Sequence, residues 1–337
     1  MTEVTLIGLD IAKHVFQLHA IDDRGRVVFR RQVRRAALLK LLASLPRCTV
    51  AMEACSGAHY WGRQFRAAGH DVRLIPPAYV KPFVKRQKND AADAEAIAEA
   101  AQRPHMRFVE VKSEESQASS VVFRARDLVV RQRTQLMNAI RGHLSEFGFV
   151  FPQGTASFRQ IRLVISEDQS LPHAAQRTLQ LLAQQLTACE EQIAEFDKEI
   201  QQRAREDVEA RRLMSIPGIG AITATALAAL APAPETFRKG RDFAAWVGLT
   251  PLERSSGGKQ RFGRTSKMGE SSLRRLLIVG ASAVVSWARR GRGSPSKWLV
   301  DMLRRKPPMV AIVALANKMA RIVWALMRHG GQYMQAT

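Results

Sequence analysis

Residues 4–11 read V-T-L-I-G-L-D-I, an apolar run interrupted only by Thr5, Gly8 and Asp10. Such a run is the pattern of a strand buried on both faces, and it demands covering layers on each side. Residues 15–20 alternate, Asp22-Asp23-Arg24-Gly25 has turn chemistry, and residues 27–33 alternate again. Three strands in an antiparallel meander are therefore expected. Residues 34–45 (RRAALLKLLASL) have helical spacing and residues 48–54 (CTVAMEA) read as a short buried strand. A second helix is expected through Arg66, then a strand over residues 71–75 that Pro76-Pro77 ends.

Meander, helix, strand, helix, strand is the chain order of a ribonuclease H-like α/β fold. From residue 91 to about 148 the pattern is helical and rich in arginine (Arg124, Arg126, Arg131, Arg133, Arg141), and a Pro/Gly/Phe patch near 147–158 breaks it. Leu179, Leu182, Leu186, Cys189, Ile193, Phe196 and Ile200 then recur at alternating steps of three and four. That stripe predicts a coiled coil, within one chain or between chains, or else an amphipathic helix packed on its own domain. Beyond it, Ser215-Ile216-Pro217-Gly218-Ile219-Gly220 lies between two helical stretches, 206–214 and 221–230. The turn fits a helix-hairpin-helix whose amides, around Gly218 and Gly220, face a phosphate at the next helix N-terminus. As a bare αα-turn it is only a connector. A length of 337 residues suits this layout. The expected domains are a catalytic domain over 1–148, a helical coiled-coil linker over 149–207, and a mainly α-helical C-terminal domain over 208–330.

Charge narrows the partners. Lys and Arg number 52 against 30 Asp and Glu, a formal net charge of +22, and the isoelectric point is about 11.0. That excess favours polyanions, nucleic acid ahead of an anionic membrane. No uninterrupted apolar run reaches the roughly 18 residues that cross a bilayer, and the first residues lack the pattern of a signal peptide. Cys48, Cys55 and Cys189 show no metal-like pairing and suit a reducing cytosol.

Against this basic background, residues 88–100 (KNDAADAEAIAEA) gather four acids. On a helix, Asp90 and Asp93 lie about 60° apart around the axis and share a stripe with Ile97, whereas Glu95 and Glu99 fall on the opposite, solvated side. Two carboxylates on an inward stripe are costly unless a cation lies between them. Asp10 ends the first strand and Glu53 ends the strand over 49–52, and in the expected sheet these strands are neighbours. Asp10, Glu53, Asp90 and Asp93 are thus expected to form a box of hard oxygen ligands suited to Mg²⁺ or Mn²⁺. Taken singly, Asp10 reads as a turn or cap residue and Asp90 as an N-cap.

Residues 248–267 (GLTPLERSSGGKQRFGRTSK) form a basic, glycine-rich stretch. Arg254, Lys259, Arg261, Arg264 and Lys267 are placed to hold phosphates. Ser255 or Ser256, set among them, has the chemistry to attack a phosphodiester, although no histidine stands nearby to activate it. The plainer reading is a flexible loop that only contacts phosphate.

L-I-G-L-D-I-A-K, A-M-E-A-C-S-G, K-N-D-A-A-D-A, S-I-P-G-I-G, and G-L-T-P followed by S-S-G-G and R-T-S-K-M-G together resemble the DEDD transposases of the insertion sequence 110 group, including its 1111 branch. The resemblance runs from Leu6 to about Arg321. It implies that Asp10, Glu53, Asp90 and Asp93 bind metal, and that a serine of the C-terminal domain, matched to Ser256 with Ser255 as the alternative, is the DNA nucleophile. It further implies joining of donor and target DNA under the guidance of a structured non-coding RNA, the bridge RNA. It implies tetramers with sites shared between subunits, an assembly that the coiled coil fits, working at the bacterial nucleoid in the cytoplasm. Two rivals differ in outcome. A junction nuclease would use the same acids to activate water, and an architectural protein would bind nucleic acid without cutting it.

Overall fold

The computed structural model describes residues 3–84, 90–154, 157–168 and 170–334. The chain divides into two compact units, Met1–Gln117 and Ala118–Thr337.

The first unit is a mixed sheet clothed by helices. Its elements are β1 (Leu6–Asp10), β2 (Val15–Ile21), β3 (Val27–Arg34), α1 (Arg35–Ala43), β4 (Thr49–Glu53), α2 (Ala58–Ala67), β5 (Asp71–Ile75), α3 (Pro77–Val80) and α4 (Asp90–Ala101). The strand order is β3-β2-β1-β4-β5. β2 runs antiparallel to β1 and β3, with Leu6 opposite Ile21 and Asp10 opposite Gln17. β4 lies parallel to β1, with Leu9 beside Met52, and β5 lies parallel to β4.

Alternation along the strands decides what each face holds. Ile7, Leu9, Val50, Met52 and Leu74 point to one side, into a core with Leu38 and Leu42 of α1 and Trp61 and Phe65 of α2. Leu6, Ala51 and Ile75 point to the other, against Ala96, Ile97, Ala98, Ala100 and Ala101 of α4. Gly8 is on this second face. A Cβ there would stand 2.2 Å from the carbonyl oxygen of Ala94 and 2.8 Å from the Cβ of Ala98. Only glycine on the strand and alanine on the helix let the two backbones come this close. The alanine-rich sequence of α4 is therefore a packing requirement as well as a helix propensity.

The helical pattern expected over 91–148 is interrupted. α4 stops at Ala101 and α5 (Glu114–Ser145) begins after twelve intervening residues. Between them Pro104 lacks an amide donor and disfavours helix in the residue before it. The following Phe108-Val109-Glu110-Val111 is extended: Val109 bonds to the carbonyl of Leu74 at 2.7 Å, and Val111 enters the α1–α2 core.

The second unit is mostly helical: the rest of α5, then α6 (Phe158–Glu167), α7 (His173–Glu206), α8 (Val208–Leu213), α9 (Ala221–Leu230), α10 (Gly240–Val247), α11 (Ser271–Arg289), α12 (Lys297–Arg305) and α13 (Pro308–His329). A two-stranded hairpin, β6 (Pro251–Glu253) with β7 (Phe262–Thr265), interrupts it. The apolar stripe of α7 is buried inside this one chain. Leu179 and Leu186 join Met137, Ile140 and Leu144 of α5 and Ile161 of α6, Cys189 and Ile193 join Val129 of α5, and Ile200 joins the C-terminal core. Asp197 and Arg126 tie the same two helices at 2.6 Å. The stripe, expected to pack within one chain or between chains, is engaged by α5 and α6 in this fold. Among the described residues one helix, α13, is long and apolar enough to cross a membrane. It buries Ala311, Ile312, Ala316, Met319, Ala320 and Val323 in the C-terminal core, and Lys318 and Arg321 interrupt it.

The strand–helix contact at Gly8 yields a direct expectation. Gly8→Ala forces β1 and α4 apart and is expected to destabilise the protein by about 1–3 kcal/mol, the usual range for overpacking, with Gly8→Val costing more. Urea unfolding should show a lower midpoint with an unchanged slope.

Candidate metal centre and serine hairpin

Asp10, the last residue of β1, follows Gly8 and Leu9, so alternation turns its side chain to the face that α4 covers. The same reasoning turns Glu53 to that face: Val50 and Met52 point to the opposite core and Ala51 to the α4 core. The two acids end adjacent parallel strands. α4 starts at Asp90, and Asp93 lies one turn on. Carboxylate oxygens of Asp10, Asp90 and Asp93 all lie within 4.8 Å of one another. Glu53 is outside that mutual distance but close enough to act on Asp10 electrostatically. Lys88 and Asn89, the start of the acidic stretch, are outside the described residues. Glu95 and Glu99 turn away from the cluster and pair with Arg30 at 3.2 Å and Arg103 at 2.6 Å.

Burial, with the neighbouring charges of Asp93, Asp90 and Glu53, pushes the Asp10 carboxyl up to about 6, opposed by the Ile11 amide. Among the described residues no cationic side chain contributes to that balance. Three half-buried to exposed carboxylates whose oxygens lie this close fit a hard divalent cation, whose charge would relieve their repulsion. Asp10, Asp90 and Asp93 would hold it, with Glu53 beside them.

The serine stretch, read as a loop from sequence, is a hairpin. Gly257 and Gly258 have φ of +56° and +74°, and Ser256 bridges Lys259 around them, a tight turn that needs positive φ at both central positions. Ser255 and Ser256 differ in their surroundings. The Ser255 hydroxyl donates to Glu253 Oε1 at 2.9 Å and accepts from the Arg261 amide at 3.2 Å. Among the described residues the Ser256 hydroxyl makes no hydrogen bond. Arg254, Lys259, Arg261, Arg264 and Lys267 are all exposed. Glu253 is the functional candidate that sequence reading passed over; its only signal is the spacing of two from Ser255 at a strand end.

The turn over 215–220 is anchored by buried Ile216 and Ile219. Gly218 has φ of +88° and sits back to back with Gly280 of α11: a Cβ on Gly218 would stand 2.7 Å from the Gly280 carbonyl oxygen. Gly220 is exposed, with open space where a Cβ would be. Gly218 thus serves protein packing, and the open approach at this turn is at Gly220.

The raised Asp10 carboxyl makes the metal-free protein pH-sensitive. The folded state holds this proton more tightly than the unfolded chain, so stability falls as pH rises from about 4 to about 6. Asp10→Asn removes the repulsion and is expected to raise the melting temperature in a chelator at pH 7.5 by about 2–4 °C, with no gain at pH 4. Mg²⁺ should stabilise wild type more than this variant, as thermal scans in chelator and in Mg²⁺ will show.

Residues 7–149 match a family model for IS110 DEDD enzymes described as "Transposase", and residues 210–294 match one described as "Transposase IS116/IS110/IS902 family". A "Probable family 20 transposase" of Pseudomonas aeruginosa is 48% identical over 324 residues, covering 95% of this chain and 96% of that protein. The "Transposase for insertion sequence element IS1328" of Yersinia enterocolitica is 40% identical, covering 98% of each chain. The "Transposase for insertion sequence element IS1111A" of Coxiella burnetii is 40% identical, covering 99% of this chain and 92% of its own. With its acids in place and likeness along nearly its whole length, the chain belongs to the IS110 family of insertion-sequence transposases.

Proposed function

We propose that this transposase is a DNA recombinase that cuts and exchanges strands through a phosphoserine link. In this reading Asp10, Glu53, Asp90 and Asp93 hold Mg²⁺ (or Mn²⁺) and Ser256 is the nucleophile. The observation that carries it is the convergence of the Asp10, Asp90 and Asp93 oxygens from a strand end and a helix start. Bound Mg²⁺ would supply positive charge to the attacking and leaving oxygens of a phosphodiester displacement.

The chain's own residues divide the remaining work. The Ser256 hydroxyl, open at the hairpin tip, forms the new O–P bond. Its proton passes to water, the bond from phosphorus to the deoxyribose 3′ oxygen breaks, and that oxygen takes a proton from water to leave as a 3′ hydroxyl. The ester is conserved in the phosphoserine, so a second strand end can reverse the step without an external energy source. Ser255, engaged by Glu253 and the Arg261 amide, fixes the strand ends of the hairpin that presents Ser256. Arg254, Lys259, Arg261, Arg264 and Lys267 hold the scissile strand by its phosphates, and Gly220 lets the turn over 215–220 approach a backbone without reading sequence.

The sheet order β3-β2-β1-β4-β5, with β2 antiparallel and β4 and β5 parallel to β1, supports a ribonuclease H-like first domain. The matched segments, 7–149 and 210–294, support a functional division into residues 1–148, 149–207 and 208–330. α5 and α7 together form the coiled coil of this reading. Guidance by a bridge RNA, action on donor and target DNA, and a tetramer with shared sites rest on the family resemblance, and the net charge of +22 supports a nucleic-acid partner.

A DNA end with a trapped 5′ phosphate is expected to become covalently attached to wild type and to Ser255→Ala, but not to Ser256→Ala. Asp93→Asn should slow attachment by at least about 100-fold. Attachment that survives Ser256→Ala and vanishes in Ser255→Ala moves the nucleophile by one residue. Free nicks with no attached protein replace the serine with water. Sequencing the RNA that accompanies the protein purified from cells tests the guide: one discrete structured species encoded beside the gene is expected.

A further inference from the structure

The hairpin carries an aromatic side chain that the chemistry above does not use. Phe262, the first residue of β7, is 64% exposed, and among the described residues it joins no apolar cluster. It pairs across the hairpin with Glu253, the residue that holds Ser255. Side chains alternate along β7, so Phe262 and Arg264 share a face, and Glu253 stands opposite on the partner strand. Arg261 is its neighbour in sequence, and its carbonyl accepts from the Arg254 amide at 2.9 Å.

Charge decides what can cover this ring. Residues 251–267 carry five cations (Arg254, Lys259, Arg261, Arg264, Lys267) and one acid, Glu253. A second copy of the chain would bring a further net charge of +22 to a surface that is already positive. A polyanion with flat apolar faces suits both the cations and the phenyl ring, and that description fits a nucleic-acid strand. In an intact duplex the base faces are stacked on one another, so the ring needs an unpaired base.

We infer that Phe262 stacks on an unpaired DNA base next to the phosphodiester delivered to the serine, while Arg261 and Arg264 hold the flanking phosphates. This rests on the reading of the hairpin as the strand-cutting element and adds a positioning residue to it. Strand exchange requires bases near the cut to leave their partners, and a ring at this place holds one of them and sets the register of the strand. Stacking tolerates any base, so the contact positions DNA without selecting sequence.

The test uses full-length protein and a gapped DNA: two duplex arms around a short unpaired tract, with 2-aminopurine at successive tract positions. Wild type and Phe262→Tyr are expected to quench the fluorophore at one or two positions, and Phe262→Ala at none. Phe262→Ala should bind the gapped DNA about 5- to 30-fold more weakly, bind the ungapped duplex as wild type does, and keep its unfolding midpoint. Arg261→Gln should retain the quenching and lower the salt slope by about 0.7, the single-strand value for one phosphate contact. Equal quenching in Phe262→Ala and wild type, equal losses on gapped and ungapped DNA, or preference for an RNA tract over the DNA tract would each overturn the inference. The fluorescence needs no cleavage. A protein that quenches but forms no covalent adduct therefore counts against the phosphoserine and leaves the stacking contact standing.

Discussion

At Gly8 the backbone of β1 lies directly against α4, and the acidic cluster depends on that approach. A helix normally packs on a sheet at about 10 Å, with side chains filling the gap. Here the Gly8 backbone meets the Ala94 carbonyl and Ala98 directly. That leaves the start of α4 low over the sheet, where Asp90 and Asp93 reach the end of the same strand two residues beyond Gly8. Had either partner carried a larger side chain, the helix would ride higher and its first-turn carboxylates would separate from Asp10. Glycine on the strand and alanine on the helix are structural residues whose effect is read out at the acids.

The close approach also explains why the acids repel one another strongly enough to matter. Carboxylates spread over a solvated surface interact weakly because water screens them. Asp10 is half buried, and its neighbours sit on a helix that cannot move away without breaking the Gly8 contact. Its carboxyl is raised by burial first and by Asp93, Asp90 and Glu53 after it. The packing of α4 on β1 is thus opposed by the charges it gathers, an opposition that a divalent cation would turn into attraction. Sites of this kind trade stability for function.

Much of this was legible because strand alternation is rigid. Placing Leu9 and Met52 in one core forces Asp10 and Glu53 onto the other face, and apolar runs alone put both acids at the ends of neighbouring strands. The helical spacing of Asp90, Asp93 and Ile97 likewise survives in α4. The closeness of the approach was not legible, since a lone glycine in a strand gives no sign of what packs on it. The break after Ala101 was missed because alanine and arginine favour helix on both sides, although Pro104 and the β-branched Val109 and Val111 marked it. The hairpin escaped for a different reason. Its strands carry only Leu252 and Phe262 as large apolar residues, so no alternating core face announces them, and Gly257-Gly258 was the sole local cue. The stripe on α7 was read correctly as sticky, but periodicity cannot say which surface it sticks to, and α5 within the same chain is the answer.

The two halves of the chemistry are built by opposite means. Packing around Gly8 sets where the acids stand, at the strand ends of the sheet beneath them. The serine is presented by a hairpin whose side chains are almost all exposed, with the Glu253–Ser255–Arg261 hydrogen bonds as its internal brace. An acidic centre seated on the sheet and an exposed basic hairpin each suit the proposed reaction, in which DNA strands are gripped, cut and handed over. In the proposed reaction the acids would need fixed geometry to gather charge, whereas a serine nucleophile would have to meet strands that change partners. The excess of positive charge over the whole chain is then no conflict with the acidic patch. Cations spread along an accessible surface would draw a polyanion in, and the concentrated carboxylates are a place that further positive charge would stabilise.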